Sequence, residues 1–517
     1  MRNLHYSLTL AALACGLACG ADWLTDGGNP QRTAWQKDEH ILNPGNVKNL
    51  QILWKLQLDN KSNQMHALFP PLIVEHLRTA AGVKQVALVA GVSDNLFGVD
   101  VETGTVLWKK HFDYPTPKNI RPGNDDPLCP EGITATPVVG PENAAGQRPV
   151  YALAGDGQLH TVNMADGEEL AQPVQFLGSY AKAYALNLWN NVIFTTTSQG
   201  CHGNRNQMWA IRLDDPTHKV MTAFPKSGGL WGRTGAAIDS SGTAWAPTGD
   251  GQYDKETQTY GNGLIGARVD GDELKIEDYY IPSNWTWLEK RDLDFQVTPA
   301  IFNYKGRELM TTASKECRVY LLDTKNAGGD DHQTPLDRTP IICNEEVNFA
   351  SAGIWGAMDS WEDARGTRWV ITPFWGPVHS KFKVPVSYGP VLHGALVAYK
   401  VEDKSGKPGL TPVWMSRDMN QAETPLVANG IVFGFGSGEN TVQAYADIGL
   451  DDSSKRRIAA STHATLYALD AETGKELYSS GDQIPSWNHF QSLTVANGRV
   501  YISTYDNVLY CFGLKER

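Results

Sequence analysis

Cys201-His202 sets a thiol beside an imidazole, a pairing that suits a soft transition metal. Five cysteines follow residue 20, namely Cys129, Cys201, Cys317, Cys343 and Cys511. An oxidising compartment permits disulfides among them, but the odd number leaves one sulfur over, and spacing alone leaves the pairing open. The sequence holds no CxxC or CxxCH motif, so the chain carries no c-type haem of its own. A serine nucleophile elbow, a phosphate-binding P-loop, a dinucleotide fingerprint and HExxH are likewise missing. The stretch Ser360–Trp369 faintly resembles a sialidase Asp-box, but it occurs once and its spacing is off; a hairpin with a turn at Gly366 is the simpler reading.

Bulk properties bound what such residues can do. The chain has 517 residues, 41% hydrophobic and 20% charged, which is globular composition. A formal net charge of −12 argues against a nucleic-acid or anionic-membrane partner, since both want a basic surface. Residues 1–20 read as a secretory signal: Arg2 supplies the positive start, Leu8–Ala18 the apolar run, and Ala18-Cys19-Gly20 a small-x-small cleavage site. Cys15 and Cys19 then leave with the signal, and neither has the Leu three residues upstream that a lipid anchor would want. No later stretch is apolar for long enough to cross a bilayer as a helix. A periplasmic or secreted location is expected.

The elements that position any site come from a repeat. An apolar-x-(Ala/Gly)-apolar pattern, often followed by Asp, recurs eight times, beginning near residues 96, 159, 208, 264, 319, 396, 466 and 509. Separations run from roughly 43 to 77 residues, the length of a propeller blade with its loops. Asp100-Val-Glu-Thr103-Gly104-Thr-Val-Leu-Trp108 and Asp470-Ala-Glu-Thr473-Gly474-Lys-Glu-Leu-Tyr478 are near duplicates, read as a strand, a tight turn with Gly at positive φ, and a return strand ending in an aromatic. Thr-Pro pairs at 136–137, 298–299 and 424–425 open earlier strands, where a missing N–H is tolerated. No helix-period stretch of useful length stands out. The fold class expected is all-β: eight four-stranded antiparallel blades in one propeller domain over 21–517. The last repeat stops near the C-terminus without its outer strand, so the apolar segment Leu50–Leu58 is expected to supply that strand and close the ring.

Asp22-Trp23-Leu-Thr-Asp-Gly27-Gly28-Asn29-Pro30 and Asn46-Val47-Lys-Asn-Leu50-Gln-Ile-Leu-Trp54 resemble the opening of quinoprotein alcohol dehydrogenases, and the Asp-x-x-Thr-Gly-x-x-x-Trp turns resemble their tryptophan-docking repeats. The resemblance spans the mature chain and implies a site for pyrroloquinoline quinone with calcium. It implies that Trp231, in Gly229-Leu230-Trp231-Gly232, is the floor on which the planar quinone stacks. Asp250 stands where the family has a calcium-binding Asn, and its carboxylate is a suitable hard ligand. Lys315 falls at the position of a quinone-contacting cation, and Arg205 is carried over as a second cofactor contact. The family's catalytic Asp aligns best with Leu293; a one-residue shift recovers Asp294 or Asp292 as the base that takes the alcohol proton. Two departures count against activity: Cys201 stands where a calcium-binding Glu is expected, and only Cys129 remains of the vicinal cysteine pair that caps the quinone in many members.

Two functions fit these features. One is a periplasmic oxidoreductase acting on an alcohol or polyol and passing electrons to a separate acceptor such as a cytochrome c. The other is a non-catalytic propeller that presents loops to a protein or polysaccharide, similar to outer-membrane assembly lipoproteins. Loops around Pro115–Pro130 and Thr372–Tyr388 are where substrate choice is expected to lie.

Overall fold

The computed structural model describes residues 21–116, 128–215, 217–347, 352–442, 445 and 447–515; the expected signal at 1–20 and much of the loop at 115–130 lie outside the described residues. Eight antiparallel sheets follow one another around a ring, at 72–111, 138–175, 182–223, 237–280, 300–338, 359–415 and 426–479, with the eighth made from 494–513 and 51–57. These are blades 1 to 8. Each of the eight repeat motifs forms the third strand of its blade, from Asn95–Asp100 in blade 1 to Val508–Gly513 in blade 8. That strand is buried on both sides because its blade packs between two others, which explains its continuous apolar character.

The ring closes as the sequence predicts. Gln51–Gln57 lies antiparallel to Val508–Gly513, with Gln51 opposite Gly513 and Gln57 opposite Val508. The Gly turns hold neighbouring blades together. Trp54 Nε1, on the closing strand, donates to Val101 O of blade 1 at 2.9 Å, and its indole lies against Gly104. Trp108 repeats the contact on blade 2 at Met164 O and Gly167, and Trp414 of blade 6 repeats it on blade 7 at Ala471 O and Gly474. Gly104 has φ +65 and Gly474 φ +73, and a Cβ on either would sit at 2.6 or 2.5 Å from the docked indole. Only glycine satisfies both conditions.

The segment 22–36 has a second role that its motif does not disclose. It touches the innermost strand of each blade in order. Trp23 bridges Ile73, Leu24 O accepts from Val139 N, and Thr25 Oγ1 donates to Leu186 O. Pro30 O, Gln31 O, Thr33 O and Ala34 O accept from Ile238, Ile301, Ser360 and Val427, and Gln36 Nε2 donates to Val495 O. One strap, folded by turns at Thr25–Gly28 and Asn29–Arg32, thus laces blades 1 to 8 at the hub. Arg32, 1% exposed, pins it by donating to Thr25 Oγ1, Asp26 O and Leu186 O. Arg32→Met leaves those acceptors dry and is expected to cost on the order of 3 kcal/mol, read by urea unfolding; an unchanged midpoint would show that the strap is incidental to stability.

One element departs from expectation. Leu450–Ala460 is an α-helix of 11 residues inserted between the second and third strands of blade 7. Its sequence has little apolar periodicity; burial of Ser453, Ser454 and Arg457 anchors it instead. A polar anchorage of this kind leaves no hydrophobic stripe to read.

Candidate functional site

In each blade the first strand is entered, and the second leaves for the third, at one end of the ring, so these connections gather on a single face around the axis. They line a cavity of about 520 Å³. Its walls include Trp231, Arg233, Asp250, Asp292, Asp294 and Lys315 from blades 4 and 5, and Lys182, Arg457, His66 and His489 from the remainder of the hub.

Trp231 sits in a backbone cradle. Gly228 N donates to Asp250 O and Gly249 N to Gly229 O, both at 2.7 Å, so the segment carrying Trp231 is stitched to the end of the second strand of blade 4. A Cβ at Gly249 would fall 2.3 Å from Trp231 Nε1 and 2.9 Å from Asp294 Oδ2. A Cβ at Gly229 would also press on the indole, at 3.0 Å. The ring is half-buried, with Lys182 Nζ 5.3 Å from its centroid and Tyr184 tilted against it at 6.3 Å.

Three carboxylates stand beside that indole. Asp250, Asp292 and Asp294 bring one oxygen each within 4.8 Å of the others. The short helix Trp285–Glu289 turns the chain into Asp292, whose φ of +52 starts an extended run. Alternation then buries Leu293 in the core and presents Asp292 and Asp294 on the other side. Leu293, on which the resemblance aligned the family's Asp, faces away from the cavity. Phe295 bridges Ser314 and Lys315 N donates to Asp294 O, so the backbone itself holds Lys315 next to the acids. Lys315 Nζ lies 2.6 Å from both Asp292 Oδ1 and Asp294 Oδ1, and Gln296 Nε2 donates to Asp294 Oδ2 at 2.9 Å. Burial and the neighbouring carboxylates push Asp250 up to about 8, and burial pushes Asp294 up to about 6 against the pull of Lys315. Oδ1 of Asp250 is buried with no hydrogen-bond donor among the described residues. One lysine against three crowded carboxylates leaves an excess of negative charge that a hard cation would relieve.

Of the residues singled out from sequence, Trp231, Asp250, Asp292, Asp294 and Lys315 converge, whereas Arg205 does not line the cavity and lies over Phe224 at 5.8 Å. Cys201 is bonded to Cys129, Cys317 to Cys343, and Cys511 is the buried free thiol. A disulfide sulfur offers no thiolate, so the soft-metal reading of Cys201-His202 falls. The bond instead fixes Leu128, which lines the cavity, to the loop of blade 3. The stretch expected as a loop from Thr372 is strand through Trp375, and Val386–Ser387 joins the outer edge of blade 6.

Sequence reasoning missed the other wall. Glu439, 1% exposed, receives Arg457 Nη2, accepts from Gln421 Nε2 at 3.0 Å and pairs with His489 Nδ1 at 2.9 Å. Burial raises Glu439 to about 7 and also raises Glu423 beside it well above the usual carboxylate range, while burial and the nearby guanidinium groups drive His66 and His489 well below the usual imidazole value. Raised carboxylates bind protons more tightly folded than unfolded, so their contribution to stability is greatest at low pH and is lost as pH rises through the folded value. Below about pH 6.5 the two histidines, neutral when folded, act in the opposite sense, so the unfolding temperature is expected to fall above that pH as Glu439 ionises near 7, and Glu439→Gln to flatten that fall; an unaltered slope in the variant would assign the effect elsewhere.

No protein-family model matches the sequence, and no curated protein matches it. Solved structures do. The quinohemoprotein alcohol dehydrogenase of Comamonas testosteroni superposes with a TM-score of 0.59 at 14% identity over 96% of this chain and 81% of that one. A europium-containing methanol dehydrogenase gives 0.61 at 12% identity over 96% and 98%, and a quinohemoprotein alcohol dehydrogenase of Pseudomonas putida HK5 gives 0.57 at 12% over 96% and 81%. This chain has the eight-bladed propeller fold of the quinoprotein alcohol dehydrogenases. Among the described residues no helix is long and apolar enough to cross a membrane.

Proposed function

We propose that this propeller binds pyrroloquinoline quinone and a hard cation at the hub and oxidises an alcohol or polyol in the periplasm or outside the cell. The observation that carries the reading is the convergence of a glycine-cradled Trp231 with Asp250, Asp292, Asp294 and Lys315 in one cavity. Trp231 offers a flat aromatic floor, and Lys182 beside its ring suits a carboxylate of the quinone. Asp250, Asp292 and Asp294 supply the oxygen ligands a cation needs without the missing Glu; calcium fits, and three carboxylates also suit a more highly charged lanthanide. The chemistry the quinone supplies when bound is acceptance of two electrons from the alcohol. Asp294, or Asp292 beside it, accepts the alcohol proton at a carboxylate oxygen, and Lys315 holds both carboxylates in place. With no haem-attachment motif in the sequence, electrons pass to a separate carrier such as a cytochrome c.

The test is to titrate the purified chain with the quinone, with and without calcium or lanthanum, and to follow absorbance together with dye-linked alcohol oxidation. Saturable binding that depends on the cation is expected. No binding with either ion leaves the non-catalytic scaffold as the remaining function.

A further inference from the structure

The cavity is polarised. Its acids belong to blades 4 and 5; around the ring stand Arg457 of blade 7, His489 of blade 8 and His66 of blade 1, and Arg233, which leaves the chain two residues after Trp231, reaches across to them. Arg233 has no carboxylate within salt-bridge distance among the described residues; it makes one long hydrogen bond, 3.5 Å to His489 O, and lies over Phe69 at 5.7 Å. Arg457 reaches the cavity from the helix Leu450–Ala460, which also presents Ser454, and blade 7 alone carries such a helix between its second and third strands among the described residues. Glu439 takes Nδ1 of His489, and His66 Nδ1 is buried with no hydrogen-bond partner among the described residues.

Arg233 lines the cavity with no carboxylate in salt-bridge contact among the described residues, and a neutral alcohol would leave its guanidinium fork unmatched. A planar oxyanion satisfies it: the fork of Arg233 matches a carboxylate, and Arg457 and Ser454 stand at the same wall. Resting on the quinone-and-cation reading above, which places the oxidised hydroxyl against the acids, we propose that the wall formed by Arg233 and Arg457 is a carboxylate subsite and that the substrate is a hydroxy acid rather than a neutral alcohol. Its hydroxyl points to Asp292 and Asp294, its carboxylate to the opposite side. The helix of blade 7 is the specificity element.

The quinone also bears carboxylates, so the test separates the two sources. D-glycerate and glycerol are titrated by calorimetry into the full chain, alone and loaded with quinone and calcium, and the quinone is titrated into wild type, Arg457→Gln and Arg233→Gln. Glycerate is expected to bind at least about tenfold more tightly than glycerol in both forms, and each variant to lose about 30-fold in glycerate affinity while quinone affinity holds. Equal or absent binding of glycerate and glycerol to wild type overturns the proposal without any variant. Displacement of glycerate by the quinone, or a matching loss of quinone affinity in the variants, also overturns it, because the oxyanion recognised is then the cofactor's own. Glycerate binding in a chain that takes up no quinone overturns the dehydrogenase reading and leaves the carboxylate subsite standing.

Discussion

Trp231→Ala is expected to lower quinone affinity by about 100-fold or more while the protein remains folded. The floor contributes dispersion and the burial of both aromatic faces, together worth about 3 kcal/mol for a stacked ring system, and each 1.4 kcal/mol is tenfold in affinity. Stability is spared because the indole faces the cavity and stands outside the hydrophobic clusters that hold the blades. Trp231→Phe, which keeps a smaller floor, should fall between. Absorbance titration of the three proteins, with unfolding temperatures measured alongside, checks this. Wild-type affinity in the alanine variant would mean that the quinone lies elsewhere.

Asp294→Asn is expected to be the most damaging change to turnover. It keeps the shape and the contact with Gln296, but removes one of three negative charges from the cation site and one of the two candidate proton acceptors. Calcium affinity should fall about 100-fold, and alcohol oxidation by a factor on the order of 10³. The comparison with Asp292→Asn divides the two roles. Excess calcium restores turnover in a variant that has lost a ligand alone; it leaves turnover low in the variant that has lost the base. Asp294 is 2% exposed and Asp292 half-exposed, so the same cation should also raise the unfolding temperature of wild type more than that of Asp294→Asn. Equal calcium stabilisation in both would remove Asp294 from the site.

Blade number, ring closure and the tryptophan-docked turns were legible in the chain because each is a local pattern repeated. An apolar third strand, a Gly held at positive φ and a terminal indole lie within a dozen residues of one another, so sequence spacing reports their geometry. Trp231 and Lys315 stood out by motif, and both line the cavity. Asp292 and Asp294 stood only as alternatives, since a one-residue shift along an extended strand exchanges the cavity face for the core face; the structure puts both on the cavity and Leu293 in the core. The basic wall could not be read at all. His66, Lys182, Arg457 and His489 are scattered over more than four hundred residues with nothing in their own neighbourhoods to mark them, and Arg233, though it follows the Trp231 motif, shows where it reaches only in the fold. Ring closure brings loops from distant blades to one axis, so the charge of the cavity is a property of the tertiary structure, whereas the blades that carry it were written in the sequence.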